Sequence, residues 1–144
     1  MINYIYIKNF RSIKELEIFP DNLCALVGPN SAGKTNILKA LDLILGEGWA
    51  TKAKVARELF NNPDDSIEIE IKFREKIRCQ DSYNREIEAD GIKLTMTLFP
   101  LSCEVRLTPG DKYLNEDFKK KCHFIYYNGL GKLDTNMVKF RWKN

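Results

Sequence analysis

Histidine and cysteine are scarce in this chain: one histidine, His123, and four cysteines, Cys24, Cys79, Cys103 and Cys122, in 144 residues. The cysteines show no CxxC spacing, and a lone imidazole has no second ring to share a metal with. Cys122-His123 are two adjacent ligands without partners, so no zinc site is expected. The stretch from Met1 to Phe10 lacks a charged, then apolar, then small-residue layout, so no secretory signal is read. A disulfide framework is therefore unsupported, and the thiols are expected to be free, mostly small core residues. Net charge is low as well. Twenty-three basic residues against 20 acidic give +3, too little by itself to imply a nucleic-acid partner. No apolar run approaches the roughly 20 residues of a membrane helix, and a cytoplasmic protein without membrane contact is the expectation. Repeats and low-complexity tracts are also missing. What is present, 44% hydrophobic and 30% charged residues, is the profile of a soluble globular chain. Its length suits one domain or part of a larger one.

Residues 1–144 read as a single unit of three stretches: 1–48, 67–108 and 109–144. Tyr4 to Phe10 reads as a strand, Arg11-Ser12 as a break, and Ile13 to Phe19 as a second strand. After the turn signal Pro20-Asp21-Asn22, the run Leu23-Cys24-Ala25-Leu26-Val27 is apolar on both faces and suits the middle of a covered sheet. Ile37, Leu38, Leu41, Ile44 and Leu45 recur at helical spacing until Gly46 and Gly48. A short helix is expected around Lys54 to Phe60. The period then changes to two: Ile67, Ile69, Ile71 and Phe73; Ile92, Leu94, Met96 and Leu98; Cys103, Val105 and Leu107. These are antiparallel strands with one packed face and one wet face, the last two joined through Pro100-Leu101-Ser102. The charged residues Arg74 to Gly91 predict a mobile excursion. A short helix over Tyr113 to Lys121 and a strand over His123 to Tyr127 follow. The tail from Lys139 to Asn144 is read as neither capping a domain nor resembling a tag.

One motif carries chemistry. Gly28-Pro29-Asn30-Ser31-Ala32-Gly33-Lys34-Thr35 matches G-x-x-x-x-G-K-[ST] at every fixed position. Such a loop folds tightly enough for successive N–H groups to point inward around phosphate oxygens, and the helix after it aims its positive end at the same anion. Lys34 is expected to reach the β- and γ-phosphates, and the Thr35 hydroxyl to ligate Mg²⁺. A glycine-rich turn before a helix is the plainer alternative. The pattern needs a buried strand before it and a helix after it, and Leu23–Val27 and Thr35–Leu45 supply both.

Taken with Asn9-Phe10-Arg11-Ser12-Ile13, the segment Ala25 to Leu41 resembles the start of an ABC-type ATPase of the SMC/RecF/OLD group, OLD ("overcoming lysogenization defect") ATPase-nucleases being favoured. The resemblance is close over residues 2–46 and rests on pattern alone over 67–108. It implies an α/β fold of α+β character: a P-loop ATPase lobe with a mixed core sheet and an antiparallel β-subdomain. It also implies ATP and Mg²⁺ as cofactors. Gly28, Pro29, Asn30, Ser31, Ala32, Gly33, Lys34, Thr35 and Asn36 would surround the phosphates, with Asn30 toward the γ-phosphate and Thr35 on the metal. Arg11 and Ser12 match positions near nucleotide; the alternative for Arg11 is a solvated charge at a strand end.

The group's remaining motifs do not occur. No apolar run ends in Asp-Glu: Asp64-Asp65 follows Asn61-Asn62-Pro63, and Asp134 follows Gly131-Lys132-Leu133. There is no Leu-Ser-Gly-Gly-type signature, and the only glutamine, Gln80, sits in the charged excursion, so no catalytic residue is assigned. The expectation is an N-terminal ATPase lobe that ends before its hydrolytic half and binds ATP with little turnover. Its parent would be an ATPase of DNA metabolism, DNA repair or antiphage defence, acting as a homodimer or with a partner chain, with DNA reached through the parent complex. The competing readings are a non-catalytic assembly module completed by a partner chain, and a small P-loop kinase. The kinase is disfavoured because residues 67–108 are nearly all strand. Lys119-Lys120-Lys121 and Lys139, Arg141 and Lys143 are read as solvated surface, and Tyr126-Tyr127 as core aromatics.

Overall fold

A computed structural model describes residues 2–21, 33–110 and 112–121, and the strands Cys122–Tyr127 and Met137–Trp142 by their backbone. The first strand, β1 (Ile2–Phe10), turns through Arg11-Ser12 into β2 (Ile13–Ile18). The helix α1 spans Lys34–Leu45. Two long strands follow, β3 (Ile67–Gln80) and β4 (Glu86–Thr97), then β5 (Ser102–Thr108) and the short β6 (Lys112–Tyr113). A single antiparallel sheet joins them in the order β2-β1-β3-β4-β5-β6. After it come α2 (Glu116–Lys121) and a separate antiparallel pair, β7 (Cys122–Tyr127) with β8 (Met137–Trp142).

The period of two becomes rows of apolar side chains across the sheet. In register, Ile18, Ile5, Ile71, Ile92 and Leu107 form one row, and Leu16, Ile7, Ile69, Leu94 and Val105 the next. Ile7, Ile69, Ile71, Leu94 and Leu107 are fully buried, each stabilising the fold by about 1.5–3 kcal/mol. The apolar stripe of α1, Leu41, Ile44 and Leu45 with Ala40, joins this core. On the opposite face the intervening residues carry charge. Lys93 lies 3.9 Å from Glu68, and the Tyr6 hydroxyl donates to Glu15 at 3.1 Å. Burial first, and then the bonded and charged Glu15, push the Tyr6 phenol up to about 12.

The charged stretch Arg74 to Gly91 is not a loose excursion. It is the distal half of the β3–β4 hairpin, closed by a turn at Asp81–Arg85. Its apolar positions are too thinly spread to reveal the strands, yet Cys79 and Ala89 are buried. Charges that look dispersed along the chain meet across it: Arg78 bonds Glu88 at 2.9 Å, and Lys76 approaches the same carboxylate at 3.8 Å. Asp81 closes the turn by accepting from the Tyr83 and Arg85 N–H groups and the Arg85 guanidinium. A register shift between Lys72 and Ile77 bends β3 and puts Phe73 6.0 Å from Phe118 of α2.

Other boundaries also move. The helix expected around Lys54 to Phe60 is two 3₁₀ turns, Lys52–Lys54 and Arg57–Leu59. Val55 and Ala56 between them are extended, and Phe60 is drawn into a bridge with Phe10. The second strand stops at Ile18, leaving Phe19 exposed beside the Tyr4 ring. The helix expected from Tyr113 starts at Glu116, because Lys112 and Tyr113 pair with β5 and Asn115 caps the helix through the Phe118 N–H at 2.9 Å. Lys119 of α2 donates to the Gly48 and Glu47 carbonyls and sits 4.7 Å over the Trp49 ring, tying α2 to the end of α1. Burial lowers its pKa. Residues 139–142 of the tail belong to β8.

The described sheets are wholly antiparallel. The expected strand Leu23–Val27, on which a mixed core sheet depends, lies outside the described residues. Among the described cysteines, Cys79 is a buried free thiol and Cys103 a half-buried one, and burial raises the pKa of both.

Candidate phosphate-binding site

Of the glycine-rich loop, Gly28 to Ala32 lie outside the described residues, and Gly33, Lys34, Thr35 and Asn36 are described. Gly33 caps α1 with φ 83° and ψ 7°, left-handed backbone that costs a residue with a Cβ roughly 1–2 kcal/mol. It is also crowded: a Cβ there would stand 3.4 Å from the Ser12 hydroxyl oxygen. The Gly33 carbonyl accepts the Asn36 and Ile37 N–H groups at 3.0 and 3.2 Å, closing the first turn.

The helix entrance fits an anion. Among the described residues no side chain caps the N-terminus of α1, and its first turn holds no acidic residue. Leading N–H groups of a helix have no partner within the helix itself, and here Lys34 adds a cation to the positive end of the helix. Thr35 is exposed at the same turn, with a hydroxyl of the kind that ligates a hard cation.

The turn between β1 and β2 lies against this entrance. Ser12 accepts a 2.7 Å hydrogen bond from the Asn36 side-chain amide. Arg11, half-buried with its guanidinium carbon 5.9 Å from the Phe10 ring, has a buried Nε without a hydrogen-bond partner among the described residues. An arginine N–H aimed at nothing is costly, and a phosphate oxygen is the natural acceptor for its planar fork. Ser12, Gly33 and Asn36 thus lie side by side. Asp134 lies outside the described residues, and Asp64 is exposed, its N–H bonded to the Asn62 side chain. Gln80 lies at the far end of β3, donating its N–H to Asp117.

Three asparagines were invisible as site-builders in the sequence. Asn9 is 4% exposed and bonds the loop at residues 62–65, while Asn61 donates to the Arg11 carbonyl at 2.8 Å. Asn62 returns a bond from its N–H to the Asn9 side-chain oxygen at 2.7 Å. The only available signal was polarity at the end of a strand, which ordinarily marks a turn. Neighbouring Asp65 pairs with Lys8 at 3.3 Å. Its carboxyl is held below the usual carboxylate range, first by the Ser66 N–H and then by Lys8.

The comparisons with known proteins bear on this arrangement directly. The family described as AAA ATPase domain matches residues 1–137. The chain belongs to that family. Membership brings the P-loop NTPase fold and, as the family's general property, nucleotide binding. Similar proteins lie in the SMC/RecF/OLD group. An "OLD nuclease" of Thermus scotoductus is 33% identical over 107 residues, 72% of this chain and 18% of its own. A "Chromosome partition protein Smc" of Methanocaldococcus jannaschii is 43% identical over 54 residues, 37% of this chain and 5% of its own. A "DNA replication and repair protein RecF" of Clostridium kluyveri is 33% identical over 88 residues, 60% of this chain and 22% of its own. The chain is therefore an ATPase domain of the SMC/RecF/OLD type, and it spans less than a quarter of the length of these three relatives. Among the described residues no helix is long and apolar enough to cross a membrane.

Proposed function

We propose that residues 28–35 bind the phosphates of ATP at the entrance to α1. Lys34 contacts the β- and γ-phosphates and the Thr35 hydroxyl holds Mg²⁺, with Asn30 assigned to the γ-phosphate by the family resemblance alone. Asn36, Arg11 and Ser12 border the same anion. The observation that carries this reading is an uncapped, acid-free helix N-terminus led by Gly33-Lys34-Thr35, with the unpartnered Arg11 Nε in the adjoining turn. Thr35 would hold Mg²⁺, which would supply charge neutralisation to the phosphates. The chain's own groups bind and orient: main-chain amides cradle the phosphate oxygens, Lys34 adds a point charge, and Ser12 fixes Asn36.

The activity proposed for the parent protein is ATP hydrolysis linked to DNA metabolism or antiphage defence in a cytoplasmic setting, supported by similarity to the OLD, Smc and RecF proteins. These 144 residues include neither an apolar run ending in Asp-Glu nor a Leu-Ser-Gly-Gly-type stretch. The water-activating and signature groups must then come from other residues, in a second copy, a partner chain or further sequence. The same observation favours a second reading, a nucleotide-binding assembly module that turns nothing over by itself.

Equilibrium titration of Mg-ATP, paired with a phosphate-release assay, tests both. Binding without turnover supports the module, and turnover abolished by Lys34→Ala overturns it. Failure to bind Mg-ATP at all would overturn the nucleotide reading.

A further inference from the structure

The turn that carries Arg11 and Ser12 is held in a conformation its own sequence does not favour. Asn9 has φ 58° and Arg11 φ 51°, both left-handed, and a side chain as bulky as arginine adopts that region rarely. What holds them is the loop after the second 3₁₀ turn. Buried Asn9 donates through Nδ2 to the Asn62 carbonyl at 2.8 Å and the Asp65 carbonyl at 3.0 Å, and accepts from the Asn62 N–H at 2.7 Å. Its main-chain carbonyl accepts the Asn61 N–H at 3.1 Å. The loop so fixed then grips Arg11 at both main-chain groups. The Leu59 carbonyl takes the Arg11 N–H at 2.8 Å, and Asn61 Nδ2 donates to the Arg11 carbonyl at 2.8 Å.

We propose that Asn9 and Asn61 are positioning residues for nucleotide binding. Asn9 anchors the 59–65 loop, and Asn61 uses that loop to clamp Arg11 in its left-handed turn. The clamp keeps the Ser12 hydroxyl on Asn36 and fixes the main chain from which the Arg11 side chain leaves the turn. This rests on the nucleotide reading above. The chemistry demands asparagine at position 9. Aspartate would keep the acceptor for the Asn62 N–H but set a carboxylate against two carbonyl oxygens, whereas the amide donates to both. Asn61 is exposed, and its side-chain bond to the Arg11 carbonyl can be removed with little effect on the core.

The test uses the full chain, with Mg-ATP as probe and urea unfolding alongside. Asn61→Ala is expected to weaken Mg-ATP affinity about three- to tenfold, the loss of one clamping hydrogen bond, at an almost unchanged urea midpoint. Asn61→Gln, which keeps an amide donor, is expected to recover part of that loss. Because Asn61 acts through Ser12 and Arg11, combining Asn61→Ala with Ser12→Ala should cost less than the product of the two single effects. Asn9→Asp should weaken binding further, and if it fails to fold, the Asn61 variants still decide. Wild-type affinity in Asn61→Ala, or full multiplicativity with Ser12→Ala, overturns the positioning role. If wild-type protein binds Mg-ATP and Lys34→Ala loses it while Asn61→Ala does not, only this inference falls. Absence of binding by wild-type protein overturns the nucleotide reading and the inference together.

Discussion

Ser12 accepts a 2.7 Å hydrogen bond from the side-chain amide of Asn36, 24 residues further along the chain. That contact docks the β1–β2 turn onto the first turn of α1, making the Asn-Phe-Arg-Ser element and the Gly-Lys-Thr end of the glycine-rich loop one structural unit.

Ser12→Ala removes the contact from an exposed position. The expected cost to stability is about 0.5–1.5 kcal/mol, the net value of an ordinary hydrogen bond. Mg-ATP affinity should fall by a few-fold, measured by calorimetric titration. No change in affinity would separate this turn from the nucleotide.

Gly33→Ala is a sharper change. At φ 83° the added Cβ meets both backbone strain and the Ser12 oxygen at 3.4 Å. A loss of about 1–2 kcal/mol is expected in urea unfolding, with a loss of Mg-ATP affinity beyond that of Ser12→Ala. Stability equal to wild type would show that the turn relaxes without penalty.

The sheet core and the hairpin tip should respond in opposite ways. Ile69 is fully buried between β1 and β4, so Ile69→Ala is expected to cost about 2–5 kcal/mol. Phe99, at the tip between β4 and β5, is 79% exposed, and Phe99→Ala should stay within about 0.5 kcal/mol of wild type. Comparable effects at the two sites would place the core elsewhere.

Acid should act on the distal hairpin through Asp81. Its pKa is lowered, first by the Arg85 N–H, then, against the opposing effect of burial, by the Arg85 side chain and the Tyr83 N–H. The fold favours the charged form. The stabilisation is therefore fully present above the unfolded value of about 3.9 and is lost as pH falls through the lower folded value. Asp81→Asn should lower the melting temperature slightly at pH 7, and the difference from wild type should shrink as pH falls below the unfolded value and through the lower folded one. A difference that does not shrink would assign the effect to something other than the charge.

Much of the scaffold was legible because its signals are local. The alternation from Ile67 to Phe73 and from Ile92 to Met96 became the central rows of the sheet, and the helical spacing from Ile37 to Leu45 became α1. The distal hairpin was not legible, because its register depends on pairs such as Arg78 with Glu88 that are remote in sequence and ordinary one by one. At the site, Gly33, Lys34 and Thr35 were marked by spacing, and Ser12 by resemblance. Asn9 and Asn61 were missed because their work is to satisfy main-chain groups of a loop some fifty residues away, and nothing local to either residue records that.

The most direct measurement is equilibrium binding of Mg-ATP to the wild-type chain and to Lys34→Ala, with both proteins shown to be folded by circular dichroism. The expected result is saturable binding by wild type and an affinity at least about tenfold lower in the variant, the loss of a charge-assisted contact to phosphate. Equal affinity in the two proteins would contradict phosphate binding at the entrance to α1.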